Sequence, residues 1–355
     1  MSLLYRLAKP LLFCLDAEDA HNLSIKTLKF GLLPAVNSPP DQILQSKIFG
    51  LNFPTPIGLA AGYDKNAEVL DPLDRLGFGF VEAGSVTPLA QAGNPKPRIF
   101  RLSSDNAVIN RFGFNSHGLE VVAENFAKRR GNGIVGANLG ANKNSSDRMQ
   151  DYVLGMQKLA PLVDYVTVNI SSPNTPGLRS LHGKQELDDL LGRLHETRAK
   201  MVSAGLRSFP LLLKIAPDLT DEDKSDIADA AREFSLDGLI ISNTTISRPQ
   251  GLQGKHITEA GGLSGAPLKS LALSVLKEMY KATNGKIPLI GVGGIDTAEE
   301  ALTRIKAGAS LLQLYTAMVY RGPYIAHEIG HELAKLLRAQ NFSSLAECIG
   351  VDTPL

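Results

Sequence analysis

The sequence is poor in features that would fix its class at a glance. Only two cysteines, Cys14 and Cys348, occur in 355 residues. They lie far apart and outside any CxxC spacing, so no disulfide framework and no zinc signature is expected, and a reducing compartment fits. No metal site of any kind is expected. Lys and Arg number 37 against 36 Asp and Glu, a net charge of +1, which argues against the broad basic footprint of a nucleic-acid binder. No apolar run reaches the roughly 18 residues needed to span a bilayer. No GxGxxG follows the first strand-like run, which counts against a dinucleotide-binding fold. No low-complexity segment occurs, and no Arg-rich, Ser-rich leader precedes residue 3, so no mitochondrial import signal is expected.

What is present describes an ordinary globular chain, 43% hydrophobic and 21% charged, long enough for one large barrel and an appendage. Leu3, Leu4, Leu7, Leu11, Leu12 and Leu15 recur at near-helical spacing, with Arg6 and Lys9 between them. Asp16-Ala17-Glu18-Asp19 then reads as a break and a new helix start. The interrupting charges exclude a secretory signal. Two short amphipathic helices over residues 1–36 are expected, either lying on a membrane surface or packed on the main domain.

From residue 55 the pattern is strand, loop, helix, repeated. Strand-like runs fall at Ile57–Ala61, Phe80–Ala83, Ile134–Leu139, Tyr165–Ile170, Leu211–Ala216, Gly238–Ser242, Ile287–Val292 and Ser310–Tyr315. Amphipathic stretches follow most of them: Leu187, Leu190, Leu191 and Leu194 share one face, as do Ile227, Ala230, Ala231 and Phe234. Thr297 with Glu300 reads as a capping box. Alternation of this kind means parallel strands with crossover helices, and eight units favour an α/β fold of the (β/α)8 TIM-barrel type over residues 45–340. Residues 341–355 form a C-terminal tail. Arg98–Leu102 and Ala107–Asn110, joined by a Ser103–Asn106 turn, resemble a hairpin over the barrel top, and the Gly-rich residues 244–265 suit a mobile lid.

In such a barrel, chemistry collects at the C-terminal ends of the strands. Ala61-Gly62-Tyr63-Asp64-Lys65, Asn138, Asn169, Lys214 and Ser242-Asn243-Thr244-Thr245 fall there. Apolar residues flank Lys214 on both sides, so its stem is buried and its ammonium needs an anionic partner or ligand. Gly291-Val292-Gly293-Gly294 and Tyr315-Thr316 follow strands seven and eight, the usual phosphate seat. A phosphorylated cofactor at the mouth is expected, and amides with lysines beside its ring suit a flavin. The nine residues Asn169-Ile170-Ser171-Ser172-Pro173-Asn174-Thr175-Pro176-Gly177 carry two amides and three hydroxyls and no charge. They read as a stiff loop that holds a polar planar molecule and moves a proton, or as an ordinary turn.

Taken in order, Ala60-Ala61-Gly62-Tyr63-Asp64-Lys65, Ile109-Asn110-Arg111-Phe112-Gly113-Phe114-Asn115, Asn169-Ile170-Ser171-Ser172-Pro173-Asn174, Ser242-Asn243-Thr244-Thr245 and Val292-Gly293-Gly294 make a set that resembles the class 2 (quinone-dependent) dihydroorotate dehydrogenases over essentially the whole chain. The resemblance implies oxidation of (S)-dihydroorotate to orotate through one FMN per chain, with electrons passed to a membrane quinone, in pyrimidine biosynthesis. It implies Ser172 as catalytic base, where class 1 relatives carry cysteine. Substrate would meet Lys65, Asn110, Arg111, Phe112, Gly113, Phe114, Asn169, Asn174, Asn243 and Thr244. FMN would meet Ala61, Gly62, Lys65, Ser85, Asn138, Asn169, Lys214, Ser242, Gly265, Gly294, Tyr315 and Thr316. Ser85 stands where many relatives have threonine. His21 and Arg101 would contact the quinone head beneath the N-terminal helices. The resemblance further implies a monomer attached peripherally to the cytoplasmic face of a bacterial inner membrane. No His or Asp neighbours Ser172 in sequence, so a relay through water or Thr175 is expected. The rival readings are an FMN barrel using a soluble acceptor and a flavin-free barrel lyase or isomerase acting on a phosphorylated substrate.

Overall fold

The structure, a computed structural model, describes residues 3–172, 174 and 183–355. Eight parallel strands close into a barrel: Ile57–Leu59, Phe80–Val86, Ile134–Leu139, Tyr165–Asn169, Leu211–Ile215, Gly238–Ile241, Leu289–Val292 and Ala309–Leu314, the last pairing back onto the first. The eight expected runs are the eight barrel strands, with ends moved by one or a few residues. The strands are largely apolar on both faces because both faces are covered, which is why continuous runs rather than alternation marked them. The outer helices bury the faces their periodicity names: Leu187, Leu190, Leu191 and Leu194 are all buried, each worth about 1.5–3 kcal/mol of apolar transfer.

An antiparallel hairpin, Ser46–Ile48 with Leu51–Phe53, plugs the N-terminal end of the barrel. Its Phe53 ring meets Phe80 edge-on at 5.3 Å, and Phe80 meets Tyr165 at 6.3 Å. Leu212, Ile240, Ile290 and Leu311 complete this layer. Gly136 leaves room for it, since a Cβ there would lie 2.1 Å from the Tyr165 ring. That end is a packed plug, and the open end lies opposite.

Over the open end sits the expected hairpin, Ile99–Leu102 with Ala107–Asn110, extended to three strands by Gly262–Gly265. The segment read as a lid therefore ends as sheet. Arg248 straps its middle, donating to the carbonyls of Ile257, Glu259 and Gly261.

The N-terminal helices span Leu3–Cys14 and Ala17–Lys29. Asp16 caps the second by accepting the Glu18 and Asp19 N–H groups at 2.8 and 3.4 Å. Thr297 caps its helix through the Glu300 N–H at 3.2 Å, but only half of the expected capping box forms. The Glu300 carboxylate turns instead to Arg304, at 2.8–2.9 Å. A complete box stands at Thr220 and Asp223. The C-terminal residues dock on the barrel: Gly350 and Asp352 donate to the carbonyls of Ile305 and Lys306.

Candidate active site

A cavity of about 440 Å³ opens at the C-terminal ends of the strands, under the three-stranded sheet. Glycines 62, 265, 293 and 294, all with positive φ, line it. At Gly265 and Gly294 a Cβ would lie 2.3 Å from the Asn106 carbonyl oxygen and 2.4 Å from Lys269 Cγ, so only glycine lets the chain pass there. Tyr315 and Thr316 open the short helix Thr316–Arg321 beside them. Ser172, Lys65, Asn110, Asn174, Asn243 and Thr244 line the same cavity.

Amides and hydroxyls at the strand ends form one network. Asn138 and Asn169 are buried, and Asn169 Nδ2 donates to Ser85 Oγ at 3.0 Å and to Asn138 Oδ1 at 3.2 Å. Ser85 Oγ also donates to Asn138 Oδ1. Ser171 Oγ donates to Asn169 Oδ1 at 2.6 Å and accepts from Asn243 Nδ2 at 2.8 Å. Asn174 Nδ2 donates to the Asn110 carbonyl at 3.2 Å, tying the loop after strand four to the sheet above.

Ser172 is buried, 6% exposed, and its Oγ accepts the Asn174 N–H at 3.3 Å. Among the described residues no carboxylate or imidazole contacts it. Thr175, the expected relay, lies outside the described residues, as do Pro173, Pro176 and Gly177.

Two lysines supply positive charge. Lys214 is buried and forms no ion pair or hydrogen bond among the described residues. Burial pushes its pKa down, while the Glu82 carboxylate acts in the opposite sense. Lys65 Nζ lies 4.2 Å from the centroid of the Phe112 ring. Burial and the nearby Arg98 cation push the Lys65 pKa down to about 8, against the pull of Glu18 and Asp64.

Most of the residues singled out by sequence meet here: Ala61, Ser85, Phe112, Gly113, Phe114, Asn169 and Ser242 also line the cavity. Four stand elsewhere. Asn138 lies behind Asn169 with no exposed surface. Arg111 points away from the mouth, paired with Glu259 at 2.6 Å and donating to the carbonyls of Ala260 and Pro97. Arg101 donates to the carbonyls of Leu12 and Leu15 and lies 4.7 Å over the Phe13 ring, so it clasps the end of the first helix. His21 stands behind the cavity wall, edge-on to Tyr63 at 5.2 Å, with Nδ1 3.4 Å from the Tyr315 hydroxyl. Burial, then the nearby Lys65 cation, hold its pKa well below the ordinary value.

Two partners of the site escaped the sequence reading. Glu82, in the middle of strand two, has no exposed surface and receives Asn138 Nδ2 at 2.7 Å. Glu18, on the second helix, pairs with buried Arg98. An acid inside an otherwise apolar strand was the available signal for Glu82. Nothing local marked Glu18, whose partner is 80 residues away.

Among the described residues, no group of three or more His, Cys, Asp or Glu side chains is arranged to hold a metal ion, and no helix is long and apolar enough to cross a membrane.

Comparison with known proteins gives one answer. The family model described as dihydroorotate dehydrogenase matches residues 43–337. A protein of Rhodospirillum rubrum named dihydroorotate dehydrogenase (quinone) is 53% identical over 98% of this chain and 94% of its own. The mouse protein named dihydroorotate dehydrogenase (quinone), mitochondrial, is 50% identical over 95% of this chain and 87% of its own. Among solved structures, that of the Eimeria tenella enzyme in complex with ferulenol superimposes with a TM-score of 0.91 at 42% identity, covering 95% of this chain and 96% of the other.

Proposed function

The chain belongs to the dihydroorotate dehydrogenase family, and from that premise we propose that it oxidises (S)-dihydroorotate to orotate with FMN at the barrel mouth and a membrane quinone as final acceptor. The observation that carries the reading is one cavity lined by Ser172, by neutral and cationic polar side chains and by Gly62, Gly265, Gly293 and Gly294.

The residues present fit FMN. The lining glycines let backbone N–H groups approach a phosphate, and Gly265, Gly294, Tyr315 and Thr316 would hold that end. Ala61, Gly62, Ser85, Asn138, Asn169, Lys65, Lys214 and Ser242 would surround the ring, and buried Lys214 finds in it the anionic partner it lacks. Bound there, FMN supplies the two-electron acceptor for the hydride that leaves the substrate.

The chain's own residues handle the rest. Lys65, Asn110, Asn174, Asn243 and Thr244 hold the carboxylate and amide edges of the substrate and keep the proton-losing carbon facing Ser172. Phe114 and the neighbouring Phe112-Gly113 backbone cover it and exclude water. Ser172 Oγ accepts the proton from the substrate carbon while its own hydroxyl proton passes to solvent water, so the serine is a hydroxyl before and after the step. The Asn174 N–H bonded to that oxygen favours its deprotonated form, and Lys65 stabilises negative charge as it develops on the substrate.

The N-terminal helices serve the second half-reaction. Leu7, Leu11, Leu15, Leu23, Phe30 and Leu32 are exposed on and beside them, an apolar surface suited to peripheral attachment to a membrane. His21 and Arg101 would meet the quinone head, with Arg101 also holding the helix in place. The protein would act as a monomer in pyrimidine biosynthesis, on the cytoplasmic face of a bacterial inner membrane. Steady-state oxidation of dihydroorotate with a quinone, compared with fumarate or NAD, tests the reading. Turnover with quinone and a flavin absorbance band are expected; turnover only with a soluble acceptor would overturn it.

A further inference from the structure

Glu82 lies in the barrel interior, and a carboxylate can only accept. Its Oε1 accepts from Asn138 Nδ2 at 2.7 Å. Its Oε2 accepts from the Tyr165 hydroxyl at 3.2 Å, the Thr167 hydroxyl at 3.1 Å and Gln313 Nε2 at 3.0 Å. Amide orientation at this point is therefore dictated. Asn138 must turn its NH2 to Glu82, which leaves Oδ1 for Ser85 and for Asn169 Nδ2 at 3.2 Å. Asn169 must then turn Oδ1 to Ser171, whose N–H and hydroxyl donate to it at 3.1 and 2.6 Å. Ser171 Oγ, its proton committed, accepts from Asn243 Nδ2 at 2.8 Å. Asn243 Oδ1 accepts the Thr244 N–H at 2.7 Å. Every donor along this path points back toward Glu82.

Gln313 gives an independent sign of the same control. Its NH2 is turned to Glu82, and its Oε1 is left buried with no partner among the described residues. Stranding a buried acceptor is unfavourable, so the carboxylate outweighs that penalty in setting the amide.

We propose that Glu82 is a positioning residue that fixes the donor–acceptor polarity of the substrate-binding amides. With one N–H committed to Ser171, Asn243 offers its other N–H to the cavity, so the site selects a ligand oxygen there and rejects an N–H. The inference rests on the proposed orotate chemistry and deepens it: the edge bound at Asn243 is a carbonyl or carboxylate edge.

The test is a polarity swap read by orotate binding to the flavin-loaded enzyme. Glu82→Gln puts an NH2 group within reach of Asn138 and frees that amide to flip; Asn138→Asp faces two carboxylates. Each single change is expected to weaken orotate binding on the order of tenfold to a hundredfold. The double variant Glu82→Gln/Asn138→Asp restores the order, with the introduced glutamine amide donating to a carboxylate that still accepts from Asn169 and Ser85. It is expected to recover most of the lost affinity, and a merely space-filling role would not produce that rescue. A double variant no better than the worse single overturns the proposal. If Glu82→Gln does not fold, Ser171→Ala cuts the path midway; it should weaken orotate binding with FMN content unchanged, and unaltered affinity overturns the proposal. Wild-type enzyme that fails to bind orotate would instead count against the proposed function.

Discussion

Glu18, on the second N-terminal helix, grips Arg98 with both carboxylate oxygens, at 3.1 Å from Nε and 2.8 Å from Nη2. Both side chains are buried. Arg98 passes the contact on, donating to the carbonyls of Ala92 and Asn94 and lying 5.3 Å over the Phe112 ring that Lys65 also approaches. The helices proposed to face the membrane are thus tied to the loop proposed to hold the substrate.

Removing one partner of a buried pair strands the other, so Glu18→Ala should cost about 3 kcal/mol. A lower Tm and faster proteolysis within residues 1–36 would show it. Replacing both partners by apolar residues should cost less. Burial alone would raise the Glu18 pKa, but Arg98 and Lys96 outweigh it and hold it below 4.5. This contribution to stability is complete above that value and is lost as pH falls through the lower folded pKa.

The ammonium of Lys65, with its pKa near 8 before ligands bind, is present below that pH and lost above it. Affinity for dihydroorotate, a carboxylate, should therefore fall as pH rises past about 8. A pH series of KM on wild type and Lys65→Met checks this: the variant should bind more weakly and lose the alkaline limb. The same limb persisting in the variant would assign it to another group.

Arg304 is 1% exposed, and its guanidinium holds the carbonyls of Lys269 at 2.7 Å and Gly293 at 3.0 Å. The bond to the Gly293 carbonyl fixes the peptide plane that also carries the Gly294 N–H in the glycine turn. Arg304→Met leaves the two carbonyls and Glu300 without their donor, and FMN dissociation should rise at least about tenfold. Recovery of flavin fluorescence on release measures it. Native-like FMN retention would remove Arg304 from this role.

Leu7 and Leu11 are 70% and 75% exposed, so changing both to serine should leave the fold intact. Quinone turnover and vesicle binding should drop severalfold while flavin reduction by dihydroorotate stays near wild type. This pair is a cleaner probe than deleting residues 1–30, which would also strand Arg98.

The barrel was legible because its strands are continuous apolar runs such as Leu211-Leu212-Leu213, and because glycines and amides cluster at their ends. The strand Gly262–Gly265 was not, since Gly-Leu-Ser-Gly has turn composition and becomes a strand only by pairing with Ala107–Asn110. Sequence brought Ser172, Lys65, Asn174 and Asn243 to one mouth through their strand positions. It did not foresee that the side chain of Arg111, between cavity-lining Asn110 and Phe112, turns to Glu259, 148 residues away. The Glu300 carboxylate was likewise read as a cap because Arg304, one turn later, is a competitor that spacing alone does not weigh.

Ser172 is the residue proposed to remove the proton. Stopped-flow reduction of the bound flavin by dihydroorotate, comparing wild type with Ser172→Ala at matched FMN content, tests that role most directly. Reduction slower by about a hundredfold or more is expected in the variant, on the scale of lost general-base catalysis, with only a modest loss of orotate binding. Reduction near the wild-type rate would contradict it.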